Sequence, residues 1–147
     1  MGKKRAPPGP SHRFFDHTGD SGVDLQAGSL EELAAEVARA FLELLTDAPQ
    51  AVGEREAVAV QVSGVDEADL LVALGNELIY RFEVDKLLCA RLEVTRLAPG
   101  ALEAVLHGER YDPARHPIAR PIKAITHHEA GCARARGRWR ARLVFDL

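Results

Sequence analysis

The 147-residue sequence predicts an α+β fold, a two-layer sandwich in which two helices cover one face of a mostly antiparallel sheet. Three observations predict it. Two segments carry apolar residues at helical spacing. The other periodic segments alternate apolar and polar residues, as half-buried strands do. Four of those strands follow one another in the second half of the chain, joined by turn signals rather than helices.

Residues 14–27 read as a strand start and a strand. Val23, Leu25 and Ala27 fall on one face, and Asp20, Gly22, Asp24 and Gln26 on the other. A helix follows over about 30–45. Ser29 is its N-cap and Glu32 completes a capping box. Leu30, Leu33, Ala34, Val37, Phe41, Leu44 and Leu45 form its apolar stripe, and Pro49 ends the segment. Residues 57–63 form a strand with Val58, Val60 and Val62 on one face. Asp66 caps a second helix running to about Phe82, with Leu70, Leu71, Leu74, Leu78 and Phe82 as its stripe. Gly75 inside it costs about 1 kcal/mol against alanine. Strands over 88–97 and 101–107 meet at a Pro99–Gly100 turn. Residues 111–121 hold Pro113, Pro117 and Pro121 and form a loop. The last strands are 122–130 and 138–146, connected tightly near Gly137.

The length fits one domain, expected over 14–147. Residues 1–13 carry Lys3, Lys4, Arg5 and Arg13, no acid, and three prolines, so they are expected to be a flexible basic tail. No apolar run reaches the ~20 residues of a membrane helix, and no secretory signal is visible. The two cysteines, Cys89 and Cys132, are far apart and outside metal-ligand spacing, which fits a reducing cytoplasm. A net charge of −3 argues against the whole surface binding nucleic acid.

Several patterns carry chemistry. Gly19-Asp20-Ser21-Gly22 looks like the nucleophile motif of trypsin-like proteases, but that chemistry needs a base and an acid held by a far larger double barrel. His127 and His128 are adjacent, so on a strand they face opposite sides. His107 and His116 have no partner at ligand spacing, and a Cys/His zinc site is weakly supported. The carboxylates say more. Asp16, Asp20 and Asp24 recur around the first strand, and Asp146 is followed by Leu147. If the last strand lies beside the first, Asp20, Asp146 and a terminal carboxylate converge as a hard-cation site for Ca²⁺, Mg²⁺ or Mn²⁺. Lys123 opposes the apolar positions of its strand. There it is solvent-facing, or it serves nearby acids or a phosphate. Arg134, Arg136, Arg138, Arg140 and Arg142 alternate near the end, as the wet face of a hairpin or a phosphate-facing or partner-facing stripe.

These motifs together resemble the archease family. Phe15-Asp16-His17-Thr18-Gly19-Asp20-Ser21-Gly22-Val23 is similar to its N-terminal Asp-His-Thr-Ala-Asp-Val signature. Leu30-Glu31-Glu32-Leu33 and Thr46-Asp47 fit the helix that follows. Gly108-Glu109, Tyr111-Asp112-Pro113 and His116 resemble the family's loop. Ile122-Lys123-Ala124-Ile125-Thr126-His127 and Trp139–Leu147 resemble its last two strands. The likeness covers about residues 14–147. Gly19 and Ser21 depart from it, standing where alanine and valine are usual.

The resemblance implies a metal-binding accessory protein rather than an enzyme. Such a protein assists an RtcB-type RNA ligase in tRNA splicing and RNA repair by promoting the ligase's guanylylation and repeated turnover. Contact with RNA and GTP would be through the ligase. It implies a divalent metal ion, Ca²⁺ in the family-type site with Mn²⁺ or Mg²⁺ as alternatives, held by Asp20, Asp146 and the carboxylate of Leu147. It marks Lys123 as functionally required and places Asp16 and His17 in the signature. The alternatives are a stand-alone metal-dependent enzyme acting on nucleotides or RNA, and a chaperone-like interaction module. The first lacks a nucleophile–base pair and a phosphate-cradling glycine loop.

Overall fold

The structure is a computed structural model describing residues 8–17 and 20–147, with the side chains of Asp16 and His17 outside the description. Among these residues the chain forms β1 (Ser11–His17), β2 (Asp20–Ala27), α1 (Leu30–Leu45), β3 (Glu56–Ser63), α2 (Glu67–Asp85), β4 (Leu87–Ala98), β5 (Ala101–Arg110), β6 (Ala124–Ala135) and β7 (Arg138–Asp146). The α+β class is as expected. The strands divide into two antiparallel sheets, ordered β1-β2-β7-β6 and β3-β5-β4. Helix α1 packs on β4 of one sheet and β2 of the other, and α2 on β6 and β3. The division follows from the connection after β5. Pro113, Pro117 and Pro121 have no N–H for a ladder, so the chain leaves the three-stranded sheet there and re-enters the other at Ala124.

Local chemistry fixes the elements. Ser29 caps α1 by accepting the Glu32 N–H at 3.1 Å, and Asp66 caps α2 by accepting that of Asp69 at 2.8 Å. The stripe of α1 is buried at Leu33, Ala34, Val37, Phe41, Leu44 and Leu45, against Val23, Leu25 and Ala27 of β2. Pro99–Gly100 joins β4 to β5, and Arg136–Gly137 joins β6 to β7 with positive φ at both positions, the turn whose twist matches a hairpin.

Gly75 has a reason that helix propensity does not give. A Cβ there would lie 1.9 Å from Cδ1 of the buried Ile125, so the bare helix face admits β6. Beside it the Asn76 side chain accepts the Ile125 N–H at 2.9 Å and donates to its carbonyl at 3.1 Å, pairing the strand as another strand would. Gly75→Ala is therefore expected to lower the melting temperature, although alanine is the better helix former. Ile125→Val in the same chain, which removes Cδ1, should restore part of the loss.

Three expectations are corrected. Residues 14–27 are not one strand but lie in a hairpin, with His17 of β1 opposite Asp20 of β2. The adjacent Phe14 and Phe15 break the alternation that would have shown it. The tail expected over 1–13 does not extend to residue 13, since Ser11, His12 and Arg13 belong to β1; residues 1–7 lie outside the described residues. The strand expected over 122–130 starts at Ala124 and runs to Ala135. The ladder to β7 is interrupted between Thr126 and Gly131, so His127 lies in a bulge, with its Nε2 2.7 Å from Asp69.

His12 shows why β1 starts early. Its two ring nitrogens reach Glu36 and Glu43 on α1, and Glu36 is 3% exposed. Burial disfavours the charged ring, but the two carboxylates outweigh it and hold the His12 pKa above the ordinary 6.5. A raised histidine stabilises fully below 6.5, and the contribution fades as pH climbs through the higher folded value. Thermal melts between pH 6 and 9 should therefore show a decline that His12→Gln flattens.

Candidate metal centre at the sheet end

The antiparallel registers bring distant residues of the sequence into one row. Asp20 pairs with Asp146, and the row continues through His17 on one side and Ala124 on the other. Directly opposed residues share a face, with Cβ atoms roughly 4.5–5.5 Å apart. That face is the outer one, since Phe145, the neighbour of Asp146, is fully buried in the core. The two carboxylates predicted to converge are thus cross-strand partners. Like charges so placed destabilise a sheet, which favours positive charge at this end.

Lys123 lies at the same end. Its N–H donates to the Asp146 carbonyl at 2.8 Å, while its side chain is exposed and Ile122 beside it is buried. The loop delivering it is anchored twice. Thr46, the C-cap of α1, donates its hydroxyl to the Pro117 carbonyl, and the Ala119 N–H donates to Leu45 at 2.8 Å. Further back, His116 is wholly buried. Its Nδ1 accepts the Asp112 N–H at 2.9 Å, so its Nε2 carries the proton shared with Glu109 at 2.8 Å. Sequence spacing gave His116 no partner, and Glu109 supplies one across the loop. Arg115 and Arg55 also bind Glu109, at 3.0 and 3.1 Å. The Gly53 N–H, then His116 and Arg115, outweigh burial and hold the Glu109 pKa down at about 2.

Of the other sequence candidates, Asp16 and His17 lie on β1 at this end of the sheet, and the cysteines lie elsewhere. Asp16 pairs through its backbone with Ser21 and His17 with Asp20, but their side chains, like residues 18 and 19, lie outside the described residues. Ser21 sits within β2 opposite Phe145 and, among the described residues, bonds no histidine. Cys89 is buried and Cys132 half-buried. Desolvation pushes their thiols up to about 12 and about 11, far from the thiolate a zinc ion needs. Among the described residues no three His, Cys, Asp or Glu side chains gather to hold a metal. The predicted set has two side-chain carboxylates and one main-chain carboxylate. All its donors are oxygen, which fits Ca²⁺, Mg²⁺ or Mn²⁺ and not zinc.

One arrangement beside the site escaped the sequence pattern. A Cβ at Gly22 would fall 2.1 Å from the ring of Phe15, so the bare glycine lets that ring lie on the sheet. The Arg142 guanidinium stands 4.4 Å over the same ring and binds both oxygens of Asp24, at 2.7 and 2.9 Å. The alternation of 20–26 and 138–146 held the signal, but only the pairing register shows which residues meet.

Comparison with known proteins gives a consistent answer. The model of the archease protein family (MTH1598/TM1083) matches residues 12–147. The archease of Methanopyrus kandleri is 36% identical over 136 residues, spanning 90% of this chain and 96% of its own length. That of Pyrococcus abyssi is 32% identical over 137 residues, with 90% and 96% covered. The solution structure of Methanobacterium thermoautotrophicum protein 1598 superposes with a TM-score of 0.75 at 26% identity, covering 92% of this chain and 98% of that one. The Thermotoga maritima crystal structure, described as an archease and possible chaperone, shares the fold at TM-score 0.60 and 19% identity, with both chains fully covered.

Proposed function

The chain belongs to the archease family, and on that premise we propose that it activates an RtcB-type RNA ligase in tRNA splicing or RNA repair. It acts in the cytoplasm, as an accessory protein that promotes guanylylation and repeated turnover of the ligase and has no reaction of its own. The observation that carries the reading is the Asp20–Asp146 pair with Lys123 bound to the same strand end. Asp20, Asp146 and the carboxylate of Leu147 would hold the divalent metal ion, which supplies positive charge for phosphate oxygens. The paired strands hold the two aspartates on one face, and the anchored loop holds Lys123 beside them. This rigid, charged edge is what the protein offers the ligase. No helix among the described residues is long and apolar enough to cross a membrane.

Guanylylation of a purified RtcB-type ligase by labelled GTP tests the proposal. The protein should speed it, and Lys123→Ala should remove most of the effect with an unchanged melting curve. Alone, the protein should neither hydrolyse GTP nor ligate RNA. GTP turnover without ligase that disappears in Asp20→Ala would favour the stand-alone enzyme, and a Lys123→Ala protein that no longer melts cooperatively would make the lysine structural.

A further inference from the structure

The outer face of the four-stranded sheet carries a groove of about 830 Å³ that crosses all four strands. Its walls and floor follow from the register. Arg13, Asp24, Arg142 and Gly131 form one row across the sheet, and Ser11, Gln26, Arg140 and Ala133 form the next. On β7, Arg138, Arg140 and Arg142 share this face at intervals of about 6.8 Å, the two-residue repeat of a strand. On β6 the facing positions are small, and a Cβ at Gly131 would meet nothing within 4 Å. The arginines thus stand beside an open floor.

The charge of the groove is positive, although the protein as a whole is at −3. Asp24 and, at longer range, Glu129 are the acids acting on Arg142. Asp24 is taken up by Arg142, which Phe15 also braces. Arg138 donates to the Gln26 side chain at 2.6 Å. Arg13 and Arg140 are exposed, and Arg13 adds to the positive charge that holds the Asp24 carboxyl low beside Arg142.

We propose that this groove binds the phosphate backbone of single-stranded RNA. Guanidinium groups match phosphate in charge and in their forked donors. Their interval along β7 is close to that of successive phosphates on an extended strand. The wet rows of the groove offer arginines, small residues and polar side chains rather than the exposed aromatic anchors that a protein partner would use. Bases would face outwards unread, so binding is sequence-tolerant. The groove lies across the strands, and on the same face of β7 the Asp20–Asp146 row stands beyond the row of Gly22 and Val144.

Anisotropy of a labelled twelve-nucleotide uridine RNA tests this with the protein alone, without ligase or metal. Affinity should fall with salt, the logarithmic slope being about −0.7 for each phosphate contacted. Arg13→Ala with Arg140→Ala should weaken binding about tenfold at low salt and flatten the slope by about 1.4. Arg140→Gln alone should give part of both effects. Melting curves report folding of each variant, and the single substitution stands if the double one does not fold. A chain lacking residues 1–7 should bind more tightly than the double variant. No salt-dependent binding, or variants that bind like the parent, would overturn the proposal. So would loss confined to the truncated chain, which would assign the contact to Lys3, Lys4 and Arg5. Ligase activation plays no part in this measurement, so the two readings fail separately.

Discussion

Asp146→Asn is expected to abolish most of the ligase activation and to weaken Mn²⁺ binding by at least about tenfold, the scale on which changes at metal sites act. The side chain keeps its shape and loses its charge. The fold should not change, because the β7 ladder and the Lys123 bond use the backbone of residue 146, not its carboxylate. Asp20→Asn should match it, since the two aspartates occupy one row. Combining them should add little to the loss of activation, because groups that act as a unit are not additive. Guanylylation rates and calorimetric titrations on the three proteins check this. A double variant twice as damaging on the free-energy scale would mean that the two act at different places.

The second large effect is on stability. Glu109 is 3% exposed and receives His116, Arg115, Arg55 and the Gly53 N–H. Glu109→Ala leaves the buried His116 without its acceptor and two guanidinium groups without their carboxylate. Arg115 and Arg55 stay in water, so the expected loss is about 2 kcal/mol, the scale of a buried group left without its hydrogen-bond partner, which in a chain of this size lowers Tm by roughly 4–8 °C. The pH dependence has a defined sign. With its pKa depressed to about 2, Glu109 stabilises fully above its unfolded value of 4.5, and the contribution is lost as pH falls from there towards 2. Acid melts of the parent should steepen in that window, and those of Glu109→Ala should not. Because the loop beyond Glu109 leads to Lys123, the variant should also activate the ligase less well at temperatures where it is folded.

Helix limits, caps and both late hairpin turns were legible in the sequence because they are local. Ser29, Asp66, Pro99–Gly100 and Gly137 act on neighbours a few residues away. The pairing of Asp20 with Asp146 was legible as a condition, since alternation put both on outer faces but could not say that their strands touch. What periodicity could not show was long-range. Gly75 reads as a flaw in a helix until Ile125 is seen against it. His116 has no partner within the spacing of a metal motif because its partner is a carboxylate seven residues back, folded onto it by a proline-rich loop. The division of the strands into two sheets and the start of β1 at Ser11 likewise depend on contacts between distant segments. His12 joins β1 to α1 across more than twenty positions.

The central claim is that the Asp20–Asp146 pair becomes a cation site when the chain end completes it. Calorimetric titration with Mn²⁺ tests this most directly, comparing the chain ending at Leu147 with one extended by a short Gly-Ser segment. The extension turns the Leu147 carboxylate into a neutral carbonyl and leaves both aspartates in place. The account predicts binding at least about tenfold weaker in the extended chain, with no such change from an N-terminal extension. Equal affinities in the two chains would contradict it, and Asp20 and Asp146 would then need a third ligand from elsewhere.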